Sequence, residues 1–134
     1  MKAVKSKITK ALPVGAVLDA TDNSGARTIK IISVRGYKTR TRKLQSAGIA
    51  DMIHATVLTG KPDMKHKVVP CVVVRQRKEF TRPEGTKVKF EDNAAIVLKD
   101  IKLGLPKGSM IKGPIAKEVA IRWPAVAKIA NMIL

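Results

Sequence analysis

Val68-Val69-Pro70-Cys71-Val72-Val73-Val74 is almost continuously apolar, as expected of a β-strand covered on both faces. Eight residues on, Arg82-Pro83-Glu84-Gly85 reads as a tight turn with Pro at its second position and Gly at its fourth. Thr86-Lys87-Val88-Lys89-Phe90 then alternates, with Val88 and Phe90 facing inward and Lys87 and Lys89 outward. Period two around a tight turn sets the chain's character as mainly β.

The same grammar recurs outward from this stretch. Val14–Ala20 runs into Thr21-Asp22-Asn23-Ser24-Gly25, a cluster of turn formers. Thr28–Val34 is a second strand, closed by Gly36. Met52–Leu58 puts Ile53, Ala55 and Val57 on one face, and Gly60, Pro62 and Asp63 break the chain after it. Asp92-Asn93 turns into a further strand, Ala94–Leu98. Short strands at this spacing predict a sandwich or a small closed barrel, and a barrel of five or six strands is the simplest solution. Closure also removes exposed edges. The C-terminal part changes period: Pro114 is suited to open a helix. Ile115, Val119, Arg122 and Trp123 follow at helical spacing. After Pro124 a second short helix is expected from Ala125 to about Met132. Such helices either cap the core or dock a neighbour, and periodicity favours the cap.

The chain's 134 residues suggest one domain. Its parts are a basic tail over 1–11, a β-barrel with a basic hairpin over 12–100, and a C-terminal loop with short helices over 101–134. A hydrophobic fraction of 45% argues against disorder. Lys and Arg total 27 against 10 Asp and Glu, a net charge of +17, which points to a polyanionic partner. No segment approaches the roughly 18 apolar residues of a membrane span. The single cysteine, Cys71, lies in an apolar run and reads as a small buried hydrophobe.

The charge is clustered. Between Asp22 and Asp51 no acid occurs, while Arg27, Lys30, Arg35, Lys38, Arg40, Arg42 and Lys43 do. Tyr37–Lys43 has too few apolar residues to bury itself and is expected to project as a basic arm. Arg75, Arg77, Lys78 and Arg82 form a second concentration at the expected hairpin end. Arg forks match phosphate oxygens in pairs. Aromatic residues make up only 3% of the chain, and Tyr37 and Phe80, each near basic residues, are the ones it can offer for stacking. Binding is therefore expected to rest on the backbone and shape of folded RNA more than on stacking with single strands.

Signs of catalysis are weak. His54 and His66 lack a Cys, Asp or Glu cluster at ligand spacing. Gly104-Leu105-Pro106-Lys107-Gly108 is not followed by Gly-Lys-Ser/Thr, so it is not a P-loop. Ser24 has no nearby base, and Glu91 and Asp92 would point to opposite faces of a strand.

Four segments in order resemble the universal large-subunit ribosomal protein fourteen family. They are Asp22-Asn23-Ser24-Gly25-Ala26-Arg27; Val72-Val73-Val74-Arg75-Gln76-Arg77-Lys78 with Arg82-Pro83-Glu84-Gly85-Thr86; Phe90-Glu91-Asp92-Asn93-Ala94-Ala95; and Lys107-Gly108-Ser109 with Ile111-Lys112-Gly113-Pro114-Ile115-Ala116. The Lys-rich start and Arg122-Trp123-Pro124 look like the archaeal and eukaryotic branch. Ala50 stands where the family often has Gly, and Pro70 interrupts a strand usually free of proline, which suggests an edge or bulge. The resemblance implies a five-stranded barrel with a projecting basic hairpin and short C-terminal helices. It implies a cytoplasmic, non-catalytic ribosomal role without cofactor or small-molecule substrate. The implied partners are large-subunit ribosomal RNA, neighbouring large-subunit proteins, small-subunit RNA across the interface, and anti-association factors. Matching position assigns RNA contact to Asn23, Arg27, Lys38, Arg40, Arg42, Lys43, Arg75, Arg77, Lys78 and Arg82. It assigns protein docking to the C-terminal helices, through Ile115, Val119 and Trp123.

Overall fold

In the central strand of the opening stretch, Cys71 and Val73 belong to one core and Val72 and Val74 to another, all four without exposure. A continuous apolar run is thus what a two-sided strand requires. The computed structural model describes residues 8–37, 41 and 44–134. Five strands make the barrel: β1 (Val17–Ala20), β2 (Ala26–Val34), β3 (Met52–Gly60), β4 (Val68–Arg75) and β5 (Ala94–Asp100). Their order is β5-β1-β2-β3-β4, and β4 pairs back onto β5, which closes the ring. The β1–β5 pairing is parallel, with Asp19 opposite Ala94, and the other four are antiparallel.

The barrel interior is the first core, with Leu18, Ile29, Ile31, Ile53, Ala55, Val57, Cys71, Val73, Ala95 and Val97. Ile53, Ala55 and Val57 share the inward face, as their spacing predicts. The second core lies on the outer face of β4 and β5. There Val72, Val74, Ala94, Ile96 and Leu98 meet Phe80, Ile111, Ile115, Val119, Trp123 and Val126.

Pro70 pairs with His54 of β3, while β5 begins its pairing with β4 only at Cys71. Proline therefore occupies the free-edge part of the strand, where no ladder bond to β5 is needed. The hairpin is present as Phe80–Thr81 against Lys87–Val88. Its turn is closed by Gly85 N–H donating to Arg82 O at 2.9 Å. The regular strand there is shorter than the alternation Thr86–Phe90 implies.

Two expectations need correction. Pro114 opens no helix: Pro114–Ile115 is a short strand, parallel to Met132–Ile133. The helices are α1 (Lys117–Arg122) and α2 (Pro124–Ile129), with Pro124 in the first turn of α2. The second helix stops early because Met132–Ile133 is claimed by that strand pairing. Of the N-terminal tail, residues 8–11 are among those described. Ile8 packs against the second core, and Gln76 Nε2 donates to Thr9 O at 3.0 Å.

Candidate nucleic-acid interface

The turn after β1 carries two acceptors that organise it. Asp22 is 4% exposed. Its Oδ1 accepts from the Ser24 hydroxyl at 2.8 Å and its Oδ2 from Val97 N–H at 3.1 Å. Burial pushes its carboxyl above the ordinary range, and the bonds from Ser24 and Val97 oppose that shift only in part. Asn23 staples a distant loop: its Oδ1 accepts Ser109 N–H at 2.7 Å and its Nδ2 donates to Ser109 Oγ at 2.8 Å. A side chain at Gly108 would come within 2.6 Å of that Asn23 Oδ1. Asn23, expected to face RNA, has its amide committed to the fold.

Arg75 and Arg82 are the larger departure. β4 pairs with β5 through a register shift between Val73 and Arg75, an irregularity of the kind that re-aims a strand end. Arg75 turns inward. Its Nε and Nη2 donate to the two Asp92 oxygens at 2.8 and 3.0 Å, and its Nη1 donates to Lys112 O and Pro114 O at 3.0 and 2.9 Å. Arg82 donates from Nε to Glu118 Oε1 at 2.8 Å and from Nη2 to the Leu134 carbonyl. Its partner Glu118 is buried on α1. Both guanidinium groups tie the barrel to the C-terminal segment instead of facing outward. No local spacing signals this, because the acids lie 17 and 36 residues away.

Arg27, Arg77 and Lys78 are exposed, as a phosphate contact requires. Lys38, Arg40, Arg42 and Lys43 lie outside the described residues. Phe80 is buried at 1% exposure and cannot stack on a base, and half-buried Tyr37 packs against the barrel core with Lys10 Nζ 6.0 Å from its ring.

The structure adds cations that the reading by motif passed over. Lys61 and Lys65 in the turn after β3, and Lys112 before Pro114, gather with Arg27 around one cleft. All four are exposed, and among the described residues none of them is ion-paired. The signal was a lysine-bearing turn, Gly60-Lys61-Pro62-Asp63-Met64-Lys65-His66-Lys67, whose single acid hid its basic character.

The proposed docking residues Ile115, Val119 and Trp123 are core: 0, 0 and 4% exposed. The exposed apolar residues of this region are Ile121, Met132, Ile133 and Leu134. Helical spacing marked the inward face, which is the face that a cap must bury. Among the described residues no three His, Cys, Asp or Glu side chains gather as a metal site, and no helix is long and apolar enough to cross a membrane.

Residues 11–134 match the family described as ribosomal protein L14p/L23e. Over 134 residues the chain is 55% identical to the large ribosomal subunit protein uL14 of Nanoarchaeum equitans, with 100% of each chain covered. It is 48% identical to that of Halobacterium salinarum over 134 residues, again covering 100% of each. Against the Methanococcus vannielii protein of the same description it is 45% identical over 133 residues, 99% of each. The chain belongs to the ribosomal protein L14p/L23e family, structural constituents of the cytoplasmic ribosome's large subunit rather than enzymes.

Proposed function

We propose that the chain binds large-subunit ribosomal RNA near the interface with the small subunit. There it contributes to bridging the subunits through small-subunit RNA, and to docking neighbouring proteins and anti-association factors. The observation that carries the RNA reading is charge left over after the fold is satisfied. Arg75, Arg82 and Arg122 are paired internally, yet Arg27, Lys61, Lys65, Lys112, Arg77 and Lys78 stay exposed and form no ion pair among the described residues. Lys38, Arg40, Arg42 and Lys43, in the acid-free stretch, join the RNA-facing set on sequence grounds. Arg75, Arg82 and Asn23 support it from behind. Protein docking passes to the exposed Ile121, Met132, Ile133 and Leu134, since Ile115, Val119 and Trp123 are filled by the chain's own core.

Two measurements test this. In high-salt sucrose gradients the protein stays with large subunits, and its appearance at the top of the gradient would overturn the reading. For the isolated protein, displacing roughly 6–10 phosphate counterions lowers RNA affinity by about 10³–10⁵ between ~50 and ~200 mM salt. A flat response would mean that phosphate contacts do not drive binding.

A further inference from the structure

The cleft ringed by Arg27, Lys61, Lys65 and Lys112 has a volume of about 600 Å³. That is within the volume range of pockets that hold a small molecule, although this cleft is widely open to solvent. Two turns build it, the one after β1 and the one after β3. Lys61 N–H donates to Gly25 O at 2.8 Å and locks them together. Gly60 allows the approach, because a Cβ there would lie 2.4 Å from Gly25 O and 3.1 Å from Ala26 Cα. The walls are therefore small: Ala20, Gly25, Ala26 and Gly60. The one acid in the lining, Asp22, is committed to Ser24 and Val97. Cations reach the rim from three segments far apart in sequence.

This arrangement selects a ligand. A rim of four unpaired cations calls for a phosphate, with the Arg27 fork offering paired donors and the lysines point charges. The volume accommodates more than phosphate alone. No aromatic side chain lines the cleft, so stacking contributes nothing and base identity is weakly read. A nucleotide turned out of the stack can enter a concavity of this size, whereas the paired bases of a continuous duplex stay inside the helix. We propose that the cleft takes one phosphate-bearing nucleotide of an RNA strand, turned out of its helix. The assignment rests on the RNA-binding reading above.

The test uses the full chain. In amide NMR spectra, adenosine 5′-monophosphate shifts Gly25, Ala26, Gly60 and Lys61, inorganic phosphate shifts the same amides less, and adenosine leaves them in place. A hairpin RNA with a single-nucleotide bulge binds more tightly than its fully paired counterpart. Lys61→Gln with Lys65→Gln lowers affinity for the bulged RNA by about tenfold or more and erases the preference, since both charge-assisted contacts to the phosphate are lost. Lys87→Gln with Lys89→Gln removes the same charge from another exposed face and keeps the preference. Equal binding of the two hairpins by the unaltered chain, or an equal loss in the control pair, overturns the cleft assignment while RNA binding itself stands. Monophosphate binding without any bulge preference overturns it in favour of a free nucleotide. Failure to bind either RNA overturns the RNA reading, and the cleft assignment with it.

Discussion

Arg82 and Glu118 form an ion pair at 2.8 Å with side chains only 13 and 5% exposed, joining the turn of the basic hairpin to α1. The pair explains why an arginine in a basic cluster is not free for phosphate. Removing one member of a buried pair strands the other's charge, at about 3–5 kcal/mol. Arg82→Ala is therefore expected to lower stability to urea by that amount. Arg82→Met with Glu118→Leu, which strands nothing, recovers most of it. A stable Arg82→Ala variant with selectively weakened RNA binding would show that the residue acts outward after all.

Gly113 has φ 81°, and a Cβ on it would meet Arg75 Nη1 at 2.6 Å. Gly36 has nearly the same φ, 83°, with nothing within 4 Å of such a Cβ. The left-handed backbone alone costs an alanine about 1–2 kcal/mol. Gly36→Ala is expected to cost that much. Gly113→Ala also displaces the guanidinium from Lys112 O and Pro114 O, adding about 1.5–3 kcal/mol. Equal unfolding midpoints for the two variants would mean that the Arg75 contact carries no energy.

Trp123 Nε1 donates to Ala50 O at 2.9 Å, and Ala50 sits at φ 69°. Trp123→Phe keeps most of the buried ring but orphans a carbonyl, with an expected loss of about 1–3 kcal/mol in urea unfolding. Ala50→Gly relieves about 1–2 kcal/mol of backbone strain. It gives back about 0.5–1 in chain entropy and about 0.8 for the buried methyl. The expected net change is close to zero. Ala50→Val, branched and left-handed in a buried site, is expected to cost several times more.

Asp22 has its carboxyl raised above the ordinary value, chiefly by burial. Ionising it is harder in the folded chain than in the unfolded one. Its favourable contribution is thus complete below the unfolded value, near 3.8, and is lost as pH rises through the higher folded value. Relative to Asp22→Asn, the unaltered protein should gain stability as pH falls from 7 toward 4. Urea midpoints of the two proteins that differ by a constant amount across that range would remove the case for a burial-driven shift.

Cys71 is fully buried, and its thiol is pushed far up by burial first and by the charge of Asp22 second. Only the thiolate reacts readily. Iodoacetamide is expected to leave the native protein unmodified and to label it in urea at the unfolding midpoint. Labelling of the native state would show that β4 opens locally.

The barrel was legible because a strand's period is local. Val68–Val74 showed a two-faced strand, Ile53, Ala55 and Val57 a one-faced one, and Arg82–Gly85 a turn, each within a window of a few residues. Four ordered motifs carried the family in the same local way, and net charge, a property of the whole composition, pointed to a polyanionic partner. Tertiary structure alone decided which basic side chains are paired within the fold. Arg75 and Arg82 read like Arg77 and Lys78, yet their acids arrive from Asp92 and Glu118 only once β4, β5 and α1 are packed. Lys61, Lys65 and Lys112 came to ring one cleft only once segments far apart in the chain packed side by side. Charge is a property of composition; whether it faces an acid or solvent depends on contacts between segments far apart in the chain.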